Sequence, residues 1–71
     1  MKKEIEFLRL PQVKEITSLS RSSIYRMVAA GEFPKQIPIG ANQVVWVKWQ
    51  VEEWMEQQIA TAVWLIVDKP T

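Results

Sequence analysis

Two segments near the start of the chain carry hydrophobic residues at helical spacing. Leu10, Val13 and Ile16 recur every three residues and predict the apolar face of a short first helix. Pro11 suits the first turn of that helix, because the amide hydrogen that proline lacks would have no partner there. After a polar break, Ser20 predicts the N-cap of a second helix, since its hydroxyl can accept from a free amide of the next turn.

The second helix is predicted from Arg21 to about Ala30, and Gly31 stands where a left-handed C-cap is needed. At about 100° per residue, its apolar and polar side chains separate onto two sides. The apolar side carries Ile24, Met27 and Val28. The opposite side carries Arg21, Ser22, Tyr25, Arg26 and Ala29. The helix is therefore expected to have one core-facing side and one side rich in hydrogen-bond donors.

The middle of the chain has the pattern of a β-hairpin. Residues 33–39 and 44–48 are apolar, β-branched runs separated by a turn that contains Gly and Asn. Proline cannot donate to a neighbouring strand, so the two prolines in the first run confine that strand to a sheet edge. Residues 4–8, with charged and apolar positions alternating, predict a short edge strand or an extended arm.

A third amphipathic helix is predicted after the hairpin. Its apolar positions are Val51, Trp54, Met55, Ile59 and Ala62, and its solvated face carries Glu52, Glu53 and Glu56. These carboxylates follow solvent-face spacing, which argues against a paired-acid or metal site. Phe33, Trp46 and Trp54 are assigned to the core rather than to stacking on bases. The element order predicts an α+β, mainly helical fold, with residues 1–71 forming one domain whose core spans about 7–61.

The apolar tail, residues 62–71, has three interpretations. It can extend the third helix into the core, or residues 63–67 can form a strand that pairs with residues 5–7. A third interpretation makes residues 62–67 a contact surface for a second copy or an integrase-like protein. That hypothesis rests on Trp64, which falls off the apolar stripe of the helix.

Composition excludes several kinds of chemistry. The 71 residues contain neither cysteine nor histidine, which removes disulfides, Cys/His zinc sites and histidine-dependent catalytic triads. We find no nucleophile–base pair and no phosphate-cradling loop, so we expect no enzyme activity and no cofactor or metal. The longest apolar run, residues 62–67, is far shorter than the roughly 20 residues that span a bilayer. Without a signal peptide, the expected location is the cytoplasm, with no membrane partner.

The spacing of the first two helices is typical of a helix–turn–helix. In that motif the second helix enters the DNA major groove, and its outward side offers donors to bases and phosphates. The candidate DNA-binding residues on it are Arg21, Ser22, Ser23, Tyr25 and Arg26. Leu19 fits the apolar turn position and Ile24 the buried helix position. The competing interpretation is an ordinary pair of amphipathic helices in a small core.

The hairpin supplies a candidate wing. Asn42 and Gln43 at its tip are candidate donors to the minor groove or to phosphates, and Lys35 and Lys48 flank the tip in sequence. The alternative is an ordinary hairpin turn, which uses Gly and Asn for backbone reasons. That alternative explains Gly40 but does not require Gln43 or the lysines.

Charge is unevenly distributed along the chain. The net charge of +1 is the sum of 0 over residues 1–8, +4 over residues 9–48 (six basic, two acidic) and −3 over residues 49–71 (one basic, four acidic). The basic segment coincides with the candidate DNA-binding elements, a separation suited to a phosphate-facing surface. Because few phosphates would be neutralised, a monomer should bind weakly and with marked salt sensitivity.

Four runs together resemble a known family. Residues 7–13 read FLRLPQV, residues 19–27 read LSRSSIYRM, residues 31–35 read GEFPK, and a later stretch includes VW at 45–46 and VEEWM at 51–55. This combination resembles the AlpA family of phage and prophage regulators. The resemblance covers about residues 7–59 and implies a winged helix–turn–helix fold related to MerR-like and excisionase domains. It implies a bacterial, nucleoid-associated regulator of double-stranded DNA, with helix 21–30 in the major groove and Lys35 and residues 40–43 in the wing.

The chain departs from that family in three places. Ser18 stands where glycine is frequent in the turn, and serine adopts the required conformation only at a cost. Trp49 and Gln50 stand where a Ser/Asp-like cap usually opens the last helix, and the tail is unusually apolar. Two alternatives to a transcriptional regulator stay open: an excisionase-like DNA-bending factor, and a protein-interaction adapter that uses the acidic last helix and tail.

Overall fold

The computed structural model describes residues 4–67, with side chains through residue 63. Strands and helices follow one another in the predicted order. They are β1 (Phe7–Leu8), α1 (Leu10–Thr17), α2 (Arg21–Ala29), β2 (Ile37–Ile39), β3 (Gln43–Val47) and α3 (Lys48–Val67). Three helices and a small antiparallel sheet form the α+β architecture of a winged helix–turn–helix, as the sequence predicted.

Helix α1 is held by local contacts at both ends. At its start, the backbone N–H of Arg9 donates to Oε1 of Gln12 at 2.9 Å. At its end, Ser18 adopts a left-handed conformation (φ 62°, ψ 20°), and its N–H donates to the Lys14 carbonyl at 2.9 Å. Ser18 is the one non-glycine residue with positive φ among those that the structure describes. The expectation of a serine in a glycine-favouring position is therefore confirmed.

The turn between α1 and α2 is short, and side chains satisfy part of its backbone. The Thr17 hydroxyl donates to the Val13 carbonyl at 2.6 Å and accepts from the N–H of Leu19 at 3.3 Å. Ser20 then caps α2, its Oγ accepting from the N–H of Ser23 at 3.1 Å, as predicted. Leu19 packs against the core, so the helix–turn–helix spacing inferred from the sequence is present.

The sheet has the order β1-β3-β2, with β3 in the centre. Phe7 lies opposite Val47 on one side of β3, and Ile37 lies opposite Val45 on the other. Strand β2 is an edge strand, which agrees with Pro38 at its centre, because a proline cannot hydrogen-bond on both sides of a ladder. Of the two options for the N-terminal segment, the edge strand is confirmed.

The first strand of the hairpin is shorter than its apolar run suggested. Residues 33–36 lie outside β2, and two of them make other contacts. The carbonyl of Pro34 accepts from Nε1 of Trp46 at 3.0 Å, and Phe33 is buried. The prediction of a strand over the whole of 33–39 is wrong for these four residues.

Helix α3 begins directly after β3. Lys48 is its first residue, and the Lys48 N–H donates to the Glu6 carbonyl at 2.7 Å. The Nζ of Lys48 lies 3.3 Å from Oε1 of Glu6 and 4.0 Å from a carboxylate oxygen of Glu52. A backbone bond from the N-terminal arm thus serves the helix start that lacked a capping side chain in the sequence.

The second half of α3 leaves the core. Val51 is fully buried and Met55 packs against the core cluster, but Ile59 is 61% exposed and Val63 is 49% exposed. The helix continues to Val67, so the strand interpretation of residues 63–67 is wrong. The interpretation that Ala62, Leu65 and Ile66 extend the helix into the core is contradicted at Ala62, which is exposed, and the side chains of Leu65 and Ile66 lie outside the described residues. The side chain of Trp64, on which the third interpretation rests, lies outside the described residues.

The hydrophobic core contains residues from both ends of the chain, packed around Trp46. Trp46 is fully buried, and the other members of the cluster are Leu8, Val13, Ile24, Phe33 and Val51. Trp54 is partly buried: its ring packs edge-on against Phe33, 4.7 Å between centroids, and its Nε1 donates to the Glu32 carbonyl at 2.7 Å. The assignment of Phe33, Trp46 and Trp54 to the core is confirmed. Within residues 4–67, no helix is long and apolar enough to cross a membrane.

Candidate nucleic-acid interface

The outward side of α2 presents two arginines and a serine to solvent. Arg21, Ser22 and Arg26 are exposed, whereas Ile24 on the inner side is fully buried. Neither arginine forms an ion pair with any residue of the part of the chain that the structure describes, where both ion pairs involve Lys48. The two guanidinium groups are therefore available to an anionic partner.

Tyr25 lies between this surface and the core. The sequence placed it on the outward side, but its ring is half-buried and packs against the core cluster. The ring meets Trp46 edge-on, 6.2 Å between centroids, and Cζ of Arg21 lies 5.7 Å from the Tyr25 centroid. The predicted place of Tyr25 on the outward side is therefore only partly confirmed, because its ring is large enough to reach the buried indole.

Ser23 takes part in the helix cap. Its N–H donates to Oγ of Ser20, and the hydroxyl of Ser20 donates to Oγ of Ser23 at 3.0 Å. The side chain of Ser23 is half-buried, while that of Ser22 is exposed. Ser22 is thus the more accessible of the two serine candidates in the first turn of α2.

The tip of the hairpin is a three-residue turn, residues 40–42. Gly40 has φ 64°, a left-handed conformation that explains glycine at this position. Asn42 is exposed at the tip. Gln43 is the first residue of β3, opposite Ile39, and it is also exposed. Both candidate wing residues therefore face solvent, one in the turn and one at the end of the strand.

The two lysines of the hairpin segment lie away from its tip. Lys48 follows the last residue of β3, about 16 Å along the strand from Gln43 at 3.3 Å per residue, and it is paired with Glu6 and Glu52. Lys35 is exposed and precedes β2, so it too lies near the base of the hairpin. Lys35 and Lys48 therefore flank the tip in sequence but not in space, because each strand leads the chain away from the turn.

Acidic groups gather on another side of the molecule. Glu4, Glu6, Glu52, Glu53 and Glu56 line one shallow depression with Lys48 and Trp49. All five carboxylates belong to exposed residues on the N-terminal arm or α3. The outward side of α2 carries no carboxylate. The separation of charge is therefore only partly kept in the fold: the outward side of α2 carries two arginines and no carboxylate, whereas Lys48 of the basic segment lies among the carboxylates.

One supporting contact was missed in the sequence but had a signal there. Arg21 and Tyr25 are four residues apart on one helix, a spacing at which side chains are neighbours. A cation over an aromatic ring is a recognised favourable pair at that spacing. The pairing of Lys48 with Glu52 has the same four-residue signature.

Comparisons with known proteins identify a family and two relatives. The family described as the prophage CP4-57 regulatory protein (AlpA) matches residues 6–59. The uncharacterized protein ORF88 of Enterobacteria phage P4 is 44% identical over 54 residues, which cover 76% of this chain and 61% of that protein. The DNA-binding transcriptional activator AlpA of Escherichia coli K12 is 30% identical over 60 residues, which cover 76% of this chain and 86% of the activator.

No solved structure gives a significant match to the chain. The chain spans about 61% of the length of its phage P4 relative. The family match nevertheless covers both helices of the helix–turn–helix, the hairpin and the buried half of α3. By that match, the chain belongs to the AlpA family of prophage regulatory proteins.

Proposed function

We propose that this protein is a transcriptional regulator that binds double-stranded DNA in a sequence-specific manner. Helix α2 lies in the major groove, and Arg21, Ser22 and Arg26 contact base edges and phosphates. The hairpin tip, with Asn42 and Gln43, contacts the backbone or the minor groove. The family assignment and the name of the Escherichia coli relative, a DNA-binding transcriptional activator, both support this function.

The observation that carries the proposal is the accessibility of the arginines on α2. Both are exposed and have no carboxylate partner within residues 4–63, although the chain has eight acidic residues. The two positions are about 7.5 Å apart along the helix axis, at 1.5 Å per residue. Arginine binds guanine in a bidentate manner and also binds phosphate, so this surface suits the edge of a duplex groove.

The other candidate residues are expected to contribute to DNA binding to different extents. Tyr25 contributes through its ring, which lies beside the Arg21 guanidinium group. Ser23 is partly committed to the cap of α2, so its contribution is smaller than that of Ser22. Lys35, near the base of the hairpin, is assigned to a phosphate rather than to a base, because a lysine ammonium acts as a point charge.

Two rival functions make different predictions. An excisionase-like factor would bend its DNA, whereas an adapter would bind a protein through α3 and would lack the steep salt dependence of DNA binding. Contact of the α3 end with an integrase-like protein stays a prediction from the sequence. The DNA-binding function is favoured over the adapter because the accessible arginines lie on α2 and not on α3.

Selection of bound fragments from random duplex DNA tests the proposal directly. The full chain should enrich a defined sequence, and Arg26→Ala should relax the preference at one base pair while the rest of the motif persists. Lys48→Ala is the matched control, because it removes the same charge from the side that carries Glu6 and Glu52. Enrichment of no sequence, or identical motifs from all three proteins, would contradict the assignment of α2 as the reading helix.

A further inference from the structure

An open groove runs between α3 and the loop that precedes β2. Its volume is about 810 Å³, within the range of sites that enclose small ligands. Residues 31–37 form one wall. The other wall is a stripe along one side of α3, formed by Trp49, Gln50, Glu53, Trp54, Gln57 and Gln58. The groove is therefore large enough for a long side chain and the backbone that carries it.

The loop wall of the groove is held in place by two indole groups. Nε1 of Trp54 donates to the Glu32 carbonyl at 2.7 Å, and Nε1 of Trp46 donates to the Pro34 carbonyl at 3.0 Å. Phe33, between the two accepting residues, is buried in the core. The groove is thus preformed, and a ligand does not have to order the loop when it binds.

Aromatic surface and hydrogen-bond acceptors line the groove. Trp49 and Trp54 are half-buried, and both contribute to its surface. The exposed carboxylate of Glu53 forms no ion pair within residues 4–63. Oε1 of Gln36 is buried and has no hydrogen-bond partner among the described residues. An unpaired buried oxygen is costly, so a donor that enters the groove and turns this amide toward itself gains a hydrogen bond.

The charge around the groove is negative. The shallow depression that carries the acidic groups adjoins the groove, since Trp49 and Glu53 line both. Together, the two surfaces are lined by six carboxylates and two lysines, a net charge of −4. Such a surface repels phosphate groups and attracts a cationic partner. The charge therefore favours a basic segment of a protein over a nucleic acid.

The lining suits arginine better than lysine. A guanidinium group is planar, carries five N–H donors and stacks on aromatic faces, whereas an ammonium group is a compact and strongly hydrated charge. Indole is the best aromatic partner for a cation. A guanidinium group in the groove can lie on indole surface while its N–H groups donate to the Glu53 carboxylate and to Oε1 of Gln36.

We propose that the groove between α3 and residues 31–37 binds an arginine-containing, basic segment of a partner protein. The guanidinium group lies against Trp49 and Trp54 and donates to Glu53. Binding of one short segment is weak, with a dissociation constant on the order of 1 mM, because exposed ion pairs contribute little. The arginines of α2 are not part of the groove, so the site is separate from the surface proposed for DNA and does not depend on it.

A nuclear magnetic resonance titration of the ¹⁵N-labelled full chain, without DNA, tests the site. The probe is a capped five-residue peptide of two arginines and three glycines, and its lysine counterpart is the comparison. The arginine peptide should shift the indole N–H signals of Trp49 and Trp54 in a saturable manner. The signal of the fully buried Trp46 should stay in place. The lysine peptide should bind at least about threefold more weakly.

Glu53→Gln and Glu15→Gln are a matched pair for the same titration. Each removes one carboxylate from an exposed helical position, but only Glu53 lines the groove. Glu53→Gln should weaken binding of the arginine peptide by about threefold to fivefold, and Glu15→Gln should bind it as the wild type does. Circular dichroism checks that both variants keep their helices.

Four results would overturn the proposal. They are the absence of saturable shifts at Trp49 and Trp54, equal binding of the two peptides, equal losses in the two variants, and an equal shift at Trp46. If the signals of Trp49 and Trp54 instead shift when the protein alone is concentrated, the occupant is a second copy, and the proposal of a basic partner segment is wrong. All these measurements omit DNA, so their failure leaves the DNA-selection result to be judged separately.

Discussion

The guanidinium carbon of Arg21 lies 5.7 Å from the centroid of the Tyr25 ring, one turn further along α2. That ring is in turn placed edge-on against the buried indole of Trp46, whose Nε1 donates to the Pro34 carbonyl. An exposed cation of the candidate DNA-binding surface is thereby connected to the centre of the core through one aromatic residue. If the ring limits the positions open to the arginine, less conformational entropy is lost when Arg21 binds DNA as proposed.

Tyr25 is therefore expected to position Arg21 through its ring. Tyr25→Phe keeps the ring and should change the free energy of unfolding and the DNA affinity only slightly. Tyr25→Ala removes a half-buried aromatic and should destabilise the protein by about 2 kcal/mol, below the range for fully buried rings. Urea unfolding gives the stability, and fluorescence anisotropy with labelled duplex DNA gives the affinity.

Two outcomes of that comparison would contradict the positioning of Arg21 by the Tyr25 ring. If Tyr25→Phe weakens DNA binding as strongly as Tyr25→Ala, the hydroxyl acts directly and the ring is not the positioning element. If neither variant changes the DNA affinity, the contact between Arg21 and Tyr25 has no part in binding.

Ser18 is a site where a single substitution should stabilise the fold. Its φ of 62° is costly for a residue with a Cβ atom, and glycine adopts it freely. The greater freedom of glycine in the unfolded chain offsets part of the gain. Ser18→Gly should therefore raise the free energy of unfolding by about 0.5 kcal/mol, seen as a higher urea midpoint with an unchanged slope. A lower midpoint would show that another contact of Ser18 outweighs the backbone strain.

Ser20 and Ser22 form a matched pair for testing the cap of α2. The Oγ of Ser20 accepts from the Ser23 N–H, so Ser20→Ala leaves that amide without its partner and should cost about 1 kcal/mol of stability. Ser22 is exposed on the same turn, and Ser22→Ala should change stability by less than about 0.5 kcal/mol. Thermal unfolding, monitored by circular dichroism, gives the stability of each variant. Equal losses would contradict the assignment of Ser20 as the cap.

Much of the fold follows from local sequence signals. The spacing of Leu10 and Val13, the cap at Ser20 and Pro38 of the edge strand each act over a few residues, and each indicated its element correctly. Such local signals do not predict which long-range contacts a backbone or side-chain group will form. The strand predicted from residue 33 begins only at Ile37, and before it the Pro34 carbonyl accepts from Nε1 of Trp46, twelve residues away.

The candidate site was less predictable than the fold for the same reason. The donor face of α2 follows from helical periodicity, and exposure of Arg21 and Arg26 agrees with it. The place of Tyr25 depends on Trp46, and that of Lys48 depends on Glu6, which is 42 residues distant in sequence. Partners so far apart leave no periodic signal, so the sequence analysis placed Tyr25 on the outward side of α2 and Lys48 beside the hairpin tip.

The central claim is that the exposed arginines of α2 bind DNA. The salt dependence of DNA binding tests that claim most directly. Anisotropy titrations of a selected duplex, over a range of salt concentrations, should compare the wild type with Arg21→Ala, Arg26→Ala and the control Lys48→Ala. Each α2 variant should weaken binding by about 1–3 kcal/mol, and loss of a phosphate contact should also lower the slope of log affinity against log salt by about 1. Lys48→Ala should retain the wild-type affinity and slope. Equal affinities and slopes for all four proteins would contradict the account.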